Sequence, residues 1–520
     1  MTRAVNLADL FEIIADAIPD RPALITEARA LTYAELDDRI TRLANALAGM
    51  GVKRGDHVAV HATNCPEWIE SWLALAKLGA AAVNVNYRYV DAELQYLYDN
   101  ADCVMAIAGP EHASRAAALV PRLLVIGDDY EAAIAGASPV RAFDERSGDD
   151  PYVLYTGGTT GLPKGVIWRQ EDIVLGALNS GRGSRPIDRP EQVGEEAAAA
   201  AFQLRMLVMM PLMHGGGQWT TGNALMMGAC VVLYTAPRFE VDRVWRMVDE
   251  YKVNSMSTVG DAMARPLAEA LATPGGHGYD LSSLMAFGNG GAALTAAVRA
   301  QLRAAIPHLV ISDSFGASET GATGSKMDEG EGLTSPKFNM GPHTTVLNEE
   351  YHRCAPGEIG KLARTGNIPL RYHKDPEKTA ATFPVVDGVR WVVPGDFAVI
   401  EDDGAITLLG RGSACINSGG EKIFPEEVEA ALKHHPAVFD AVVIGTPNDR
   451  WIEQVTALVQ LRDGTVASSD LKLEIAQSVR AHIADYKAPK VVLVVDVVGR
   501  TPVGKVDYAW AKATAAAMLA

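Results

Sequence analysis

The sequence predicts an α/β protein in two parts, a large N-terminal lobe of mixed and parallel sheets with helices and a small α+β C-terminal domain. Three observations carry that expectation. Helix-period and strand-period apolar patterns alternate along the chain, which favours helices layered on largely parallel sheets. A glycine-crowded stretch, LLGRGSACINSGGEKIFPEEVEAAL, interrupts the rhythm just before a helix opened by Pro425 and marks an interdomain joint. The 520 residues, 48% hydrophobic and 21% charged, make roughly three to four units of ~150 residues, enough for a large core. The division falls at 1–410 and 411–520.

Taken in order, MTRAVNLADLFEIIADAIPD carries acids within its apolar stretch and predicts an amphipathic helix, not a signal sequence. Thr32 to Glu35 (TYAE) is a capping box, and Leu36, Ile40, Leu43 and Leu47 follow at helical spacing until Gly49 and Gly51 stop the pattern. HVAVHA (57–62) alternates as a strand, followed by a helix over 67–79, apolar AAVNVN, helical DAELQYLYD and apolar VMAIAG. Residues 180–200, rich in Gly, Pro and Arg, predict a surface loop running into a short helix. Beyond the joint come a helix, strands VFDAVVIG and VTALVQL, a helix over 469–485 and strand VVLVVDVV.

Composition excludes several function classes. Lys plus Arg number 47 against 64 Asp plus Glu, a net charge of −17 that repels polyphosphate backbones and anionic lipid, so neither nucleic acid nor a membrane surface is expected as partner. No apolar run reaches the ~20 residues that span a bilayer, and the terminal AAAMLA matches no retention, peroxisomal or prenylation ending. Five scattered cysteines with no CxxC pair fit a reducing compartment. The expected location is cytoplasmic.

The segment YTGGTTGLPKG (155–165) combines inward-turning backbone N–H groups, threonine hydroxyls and Lys164, the means to cradle phosphate oxygens; an exposed hairpin turn is the alternative. GRTPVGKV approaches the Walker pattern, but Val506 stands where magnesium needs a hydroxyl, leaving Lys505 a solvated lysine on composition alone. In FGNGGAALTAAVRAQLRAAIPHLVISD, Gly288, Gly290 and Ala293 fit the dinucleotide fingerprint with Asp313 at the end of the next strand, so an NAD-dependent dehydrogenase stays open. His214 in PLMHGGGQW is flanked by glycines that let a ligand approach and followed by Trp219, an aromatic for a pocket mouth; six methionines surround it, and no acid occurs from Pro211 to Pro237. Glu319 in FGASET and Asp396 in PGDFA are single carboxylates that suit Mg²⁺ and ribose hydroxyls.

In order along nearly the whole chain, these pieces resemble the AMP-forming adenylate ligases: acyl-CoA synthetases, aryl-CoA ligases, firefly-type luciferases and peptide-synthetase adenylation domains. YTGGTTGLPKG is similar to that family's phosphate loop with Gly157 in place of serine, NGGAAL to its adenine turn, FGASE to its Tyr-Gly-x-Thr-Glu element, PGDFA to its ribose-binding Gly-Asp, and RTPVGKV to its terminal lysine motif. The resemblance implies a carboxylic acid, ATP, Mg²⁺ and CoA as reactants and cofactors, with acyl-AMP and AMP as bound species. It implies Thr156, Gly157, Gly158, Thr159, Thr160, Gly161 and Lys164 around the phosphates, and Glu319 on the metal. Gly290, Gly291, Ala292, Asp313, Ser314, Phe315, Gly316 and Ser318 would surround adenine, and Asp396 with Arg411 the ribose. His214, Trp219 and Gly288 would line the acyl pocket, Lys505 would be catalytic, and Ser418, Gly419 and Gly420 would meet CoA once a mobile small domain turns about Ser413.

Tyr508 stands where the family commonly has arginine, so a salt bridge is missing or replaced. The absence of an acid from Pro211 to Pro237 argues against amino-acid substrates, and the motifs look closest to bacterial ligases for steroid side chains or other bulky apolar acids: long-chain, steroidal or aryl-alkyl. A fatty acyl-AMP ligase, a luciferase-like oxygenase and a nucleotide sensor without turnover remain variants, and a homodimer is left open.

Overall fold

The computed structural model describes residues 5–156, 162–179, 187–272, 278–292, 294–327, 337–341, 343–411, 414–418, 421–448, 452–483, 485–501 and 505–519. Its first helix, Leu7–Ala17, is capped by Asn6. Helix Tyr33–Gly49 begins at the capping box, with Thr32 and Glu35 each bonding the other's backbone, and Leu36, Ile40, Leu43 and Leu47 are fully buried. Helix Pro66–Lys77 packs against it. Lys77 ends in the core, where its ammonium meets Glu12 at 2.6 Å and Asp37 at 2.8 Å; Arg146 adds a 2.7 Å bond to Glu12, so the buried charges are paired.

Among the described residues, three larger sheets and a two-stranded hairpin, Val385–Val386 with Val389–Arg390, build the large lobe. Strands Ala81–Asn84, His57–His61, Cys103–Ala108 and Leu123–Val125 form an all-parallel sheet in that order. The largest sheet has 13 strands: a parallel run from Pro22–Ile25 through Cys230–Leu233, Arg205–Val208, Ser255–Thr258 and Ala286–Gly290 to Val310–Ala317, continued by antiparallel strands out to Thr344–Leu347. The third, antiparallel, joins Pro151–Thr156 to Lys164–Arg169 and then Arg371–Tyr372. Parallel pairing thus dominates only where helices connect the strands, and the mixed character follows from the hairpins at Pro22–Thr32, at Pro151–Arg169 and beyond residue 313.

The small lobe pairs Val438–Asn448 with Ile452–Leu461 over ten registered positions and lays Val491–Val495 parallel to the second of these. Its own core centres on Ile423, Val428, Leu432, Val443, Val455 and Val459. The helix expected over 469–485 spans Ser469–Ser478 and tightens into a 3₁₀ turn at Val479–Ala481, a common way for a helix to satisfy its last carbonyls. Within 180–200, the described residues contain the short helix Gln192–Ala199. No helix among the described residues is long and apolar enough to cross a membrane.

Candidate active site at the ends of the parallel strands

Strand Ala286–Gly290 buries Phe287 and Asn289 on one face and leaves Gly288 and Gly290 half-open on the other. A Cβ on Gly288 would stand 2.8 Å from Ser257 Oγ, and one on Gly290 2.8 Å from Ser314 Oγ, so this face remains bare backbone. Behind it, Asn289 accepts from Gly260 N at 2.8 Å and donates to Ala292 O and Asp313 Oδ1, each at 2.9 Å. Asp313 also takes a 2.5 Å bond from Arg299. Its carboxylate is thus already engaged at both oxygens, by Asn289 and Arg299, in ordering the turn at Gly291, which weakens the dinucleotide alternative even though the strand–helix–strand context is real.

The neighbouring strand, Val310–Ala317, turns back as Gly321–Met327. Phe315 is half-buried, 5.8 Å between ring centres from Phe338, while Ser314 and Gly316 are exposed. Any side chain at Gly316 would collide with the Gly321 carbonyl, so the turn is tight. Ser318 holds Trp168 Nε1 through its carbonyl at 3.1 Å. Next to it Glu319 accepts a 2.9 Å bond from the Tyr372 hydroxyl. Lys164 Nζ lies 5.8 Å from the centre of the Tyr372 ring and 3.4 Å from Asp375. Thr156 and Lys164 are registered partners at the mouth of the hairpin, so the hairpin reading holds for its described strands; Gly157 to Gly161 lie outside the described residues.

The buried Arg364 supports this turn from behind. It is 7% exposed and donates to Gly176 O at 3.3 Å, Ala322 O at 2.6 Å and the Thr320 carbonyl, and burial pulls its pKa down to about 10. No acidic partner of it occurs among the described residues.

Asp396 is buried at the start of strand Asp396–Ile400, registered opposite Arg411 at the end of Ile406–Arg411. Lys505 belongs to the small lobe, yet its Cε comes within 3.9 Å of the position a Cβ on Gly291 would take. His214 is near enough to sense it: burial first, then the charges of Lys505 and Arg88, lower the His214 pKa to about 4, so the imidazole is neutral at physiological pH. His214 Nε2 is buried with no hydrogen-bond partner among the described residues.

The glycines after His214 differ from expectation. Gly215, Gly216 and Gly217 form the first turn of helix Gly215–Met226, and a side chain on Gly217 would strike the Pro211 carbonyl. On Gly215 it would lie 3.0 Å from Leu154. At these two positions the glycines serve close packing of the helix and not ligand approach. Trp219 lies against Gly215 and the main core, and Met209, Met213 and Met226 are buried. Ser418 ends a small-lobe strand registered with Glu421 and Ile452. Ala293, Ser413, Gly419 and Gly420 lie outside the described residues.

The residues around Glu319 fit Mg²⁺: a single carboxylate bonded to Tyr372, beside which Lys164 lies, suits a cation that binds through one or two carboxylates and nucleotide phosphates, whereas no all-protein cage occurs among the described residues. Sequence reasoning missed Tyr372, Arg364 and Asn289. For Arg364 a signal existed: it shares strand parity with buried Leu362.

The family profile described as AMP-binding enzyme matches residues 11–369, and that described as AMP-binding enzyme C-terminal domain matches 427–505. The chain is 43% identical over 537 residues to a 3-oxocholest-4-en-26-oate–CoA ligase of Rhodococcus rhodochrous, covering 98% of this chain and 96% of the relative. It is likewise 43% identical, over 98% of its length and 96% of the relative's, to a medium/long-chain-fatty-acid–CoA/3-oxocholest-4-en-26-oate–CoA ligase of Mycobacterium tuberculosis (strain ATCC 25618 / H37Rv). Among solved structures, the anthranilate CoA ligase AuaEII in complex with anthranoyl-AMP superposes with a TM-score of 0.86 at 23% identity, covering 99% of each chain, a likeness of fold.

Proposed function

The chain belongs to the family of AMP-binding enzymes and is an AMP-forming acyl-CoA ligase; we propose that its acid is bulky and apolar, a steroid side-chain acid or a medium- to long-chain fatty acid. The observation that carries the site assignment is the approach of Lys505 from the small lobe to the Gly291 turn and His214.

In the first half-reaction a carboxylate oxygen bonds to the α-phosphorus of ATP and the bond to the β-phosphate oxygen breaks, releasing pyrophosphate. Two anions must be pressed together, and the Lys505 ammonium lowers their repulsion. Lys164 and the hairpin it closes hold the leaving phosphates, while Tyr372 orients Glu319. Mg²⁺ would be held by Glu319 and the phosphates and would supply charge neutralisation there. The Gly288 and Gly290 face offers adenine and acyl groups a flat floor, and Asp396 takes the ribose hydroxyls. In the second half-reaction the CoA sulfur bonds to the acyl carbon, its proton is lost and AMP leaves, with the small domain, divided from the large one near residue 411, turned to admit the thiol.

The apolar acid is supported by the names of the two relatives, by the lack of any acid from Pro211 to Pro237, and by a neutral His214 at the pocket. A panel of carboxylic acids assayed for AMP and CoA thioester tests it. Steroid side-chain and long-chain acids are expected to give the highest kcat/KM. Turnover restricted to small polar acids or amino acids would refute the substrate class, and NADH consumption would revive the dehydrogenase.

A further inference from the structure

We propose that Asp261, Arg265 and Glu269, one charged stripe on helix Gly260–Leu271, form a latch that holds the small lobe where Lys505 reaches the nucleotide cleft. Spaced four residues apart, they lie one above another on a single helix face. Two of them contact the small lobe directly, and the third acts on it through its charge. The Arg265 guanidinium, only 4% exposed, lies 5.3 Å over the Phe439 ring. Glu269 pairs with Arg462 at 3.8 Å. The Asp261 charge reaches Arg500: burial opposes the Arg500 charge, but Asp440 first, then Glu429 and Asp261, outweigh it and raise its pKa.

The three small-lobe groups are themselves tied together. Phe439 and Asp440 are adjacent on strand Val438–Asn448, Val438 is registered with Leu461 next to Arg462, and Arg500 holds Asp440 through two bonds of 2.7 Å. Lys433 adds a 3.0 Å pair to the same carboxylate. Arg500 opens the loop that carries Lys505, closed at its base by an Arg500–Val506 bridge and a 2.7 Å bond from Thr501 N to Lys505 O. On the large-lobe side Asp261 accepts from Thr295 N and Oγ1 at 2.8 and 2.9 Å and pairs with Arg265, and Gly260 N is held by Asn289 of the adenine turn. The latch thus joins the Lys505 loop to the turn it must reach.

An exposed pair contributes little to global stability, but it acts here on a balance between two lobe arrangements, where a small bias changes populations. This inference rests on the ligase reading, and the test separates the two. Glu269→Arg, Arg462→Glu, the double exchange and Phe439→Ala are compared with the parent. Each single change should lower acid-dependent pyrophosphate exchange about 3- to 10-fold and leave thioester formation from supplied acyl-AMP within twofold; the double exchange should regain the parental rate within twofold. Hydrogen exchange of helix Gly260–Leu271 and strand Val438–Asn448 should rise in the singles and return in the double, a readout independent of turnover. Unchanged hydrogen exchange, equal loss in both half-reactions, or no recovery in the double would overturn the latch. A parent that makes no AMP from ATP and any acid, with the hydrogen-exchange pattern as expected, would sink the ligase reading and leave the latch standing.

Discussion

Replacing Arg364 with methionine tests how the Glu319 turn is held. The guanidinium is 7% exposed and grips the carbonyls of Gly176, Thr320 and Ala322. Keeping it charged is costly: a pKa brought from its ordinary value to about 10 corresponds to roughly 3 kcal/mol at ~1.4 kcal/mol per unit. Methionine removes that cost but takes away the two N–H groups that Nη1 shares among the three carbonyls, each worth about 1–3 kcal/mol. The balance is a destabilisation of about 1 kcal/mol, read as a lower urea midpoint. The turn should also loosen around Glu319 and Tyr372, raising KM for MgATP about tenfold with kcat less affected. Arg364→Lys, which keeps the charge but fewer donors, should fall between the two. A methionine variant with parental midpoint and KM would refute the claim that these three bonds hold the turn.

Lys505→Ala should lower adenylation on the order of 10²-fold, with smaller loss of thioester formation from supplied acyl-AMP, measured by pyrophosphate exchange and single-turnover assays. Glu319→Gln should raise the magnesium concentration giving half-maximal adenylation about tenfold, with an unchanged urea midpoint. His61 is buried against His112 and its pKa lies near 3, lowered by burial and then by His112 and Arg115; that of His214 lies near 4. Between those values and the ordinary ~6.5 the unfolded chain binds the extra protons, so stability falls as pH drops through this window. His61→Phe should flatten that slope in urea titrations between pH 7 and 5.

Much of the fold around the candidate site was legible because it is built from contiguous stretches. The capping box at Thr32, the strand at residue 57 and the strand–helix–strand around Gly288 follow from local periodicity, and the structure reproduces them. What stayed hidden depends on residues distant in sequence. Nothing near Tyr372 announces that its hydroxyl will meet Glu319, 53 positions earlier. The acid at Asp313 satisfied a fingerprint by spacing, but its partner Arg299 on the intervening helix decides its role. Similarly, nothing local to Tyr508 announces its surroundings: burial first, then the charges of Glu429 and Glu426, push its pKa up, and the Glu426 carboxylate packs against Gly410.

The pairing of Lys77 with Glu12 and Asp37 sets a timetable for biosynthesis. Helix Leu7–Ala17 is synthesised ahead of the groups it packs on: its acids are neutralised by Lys77 and by Arg146, its first turn bonds Gln170, and Ile13 packs on Gly194. It must wait in solution until the chain through Gly194 has been made, so nascent chains halted before that point should bind chaperones through this segment, and chains halted after it should not.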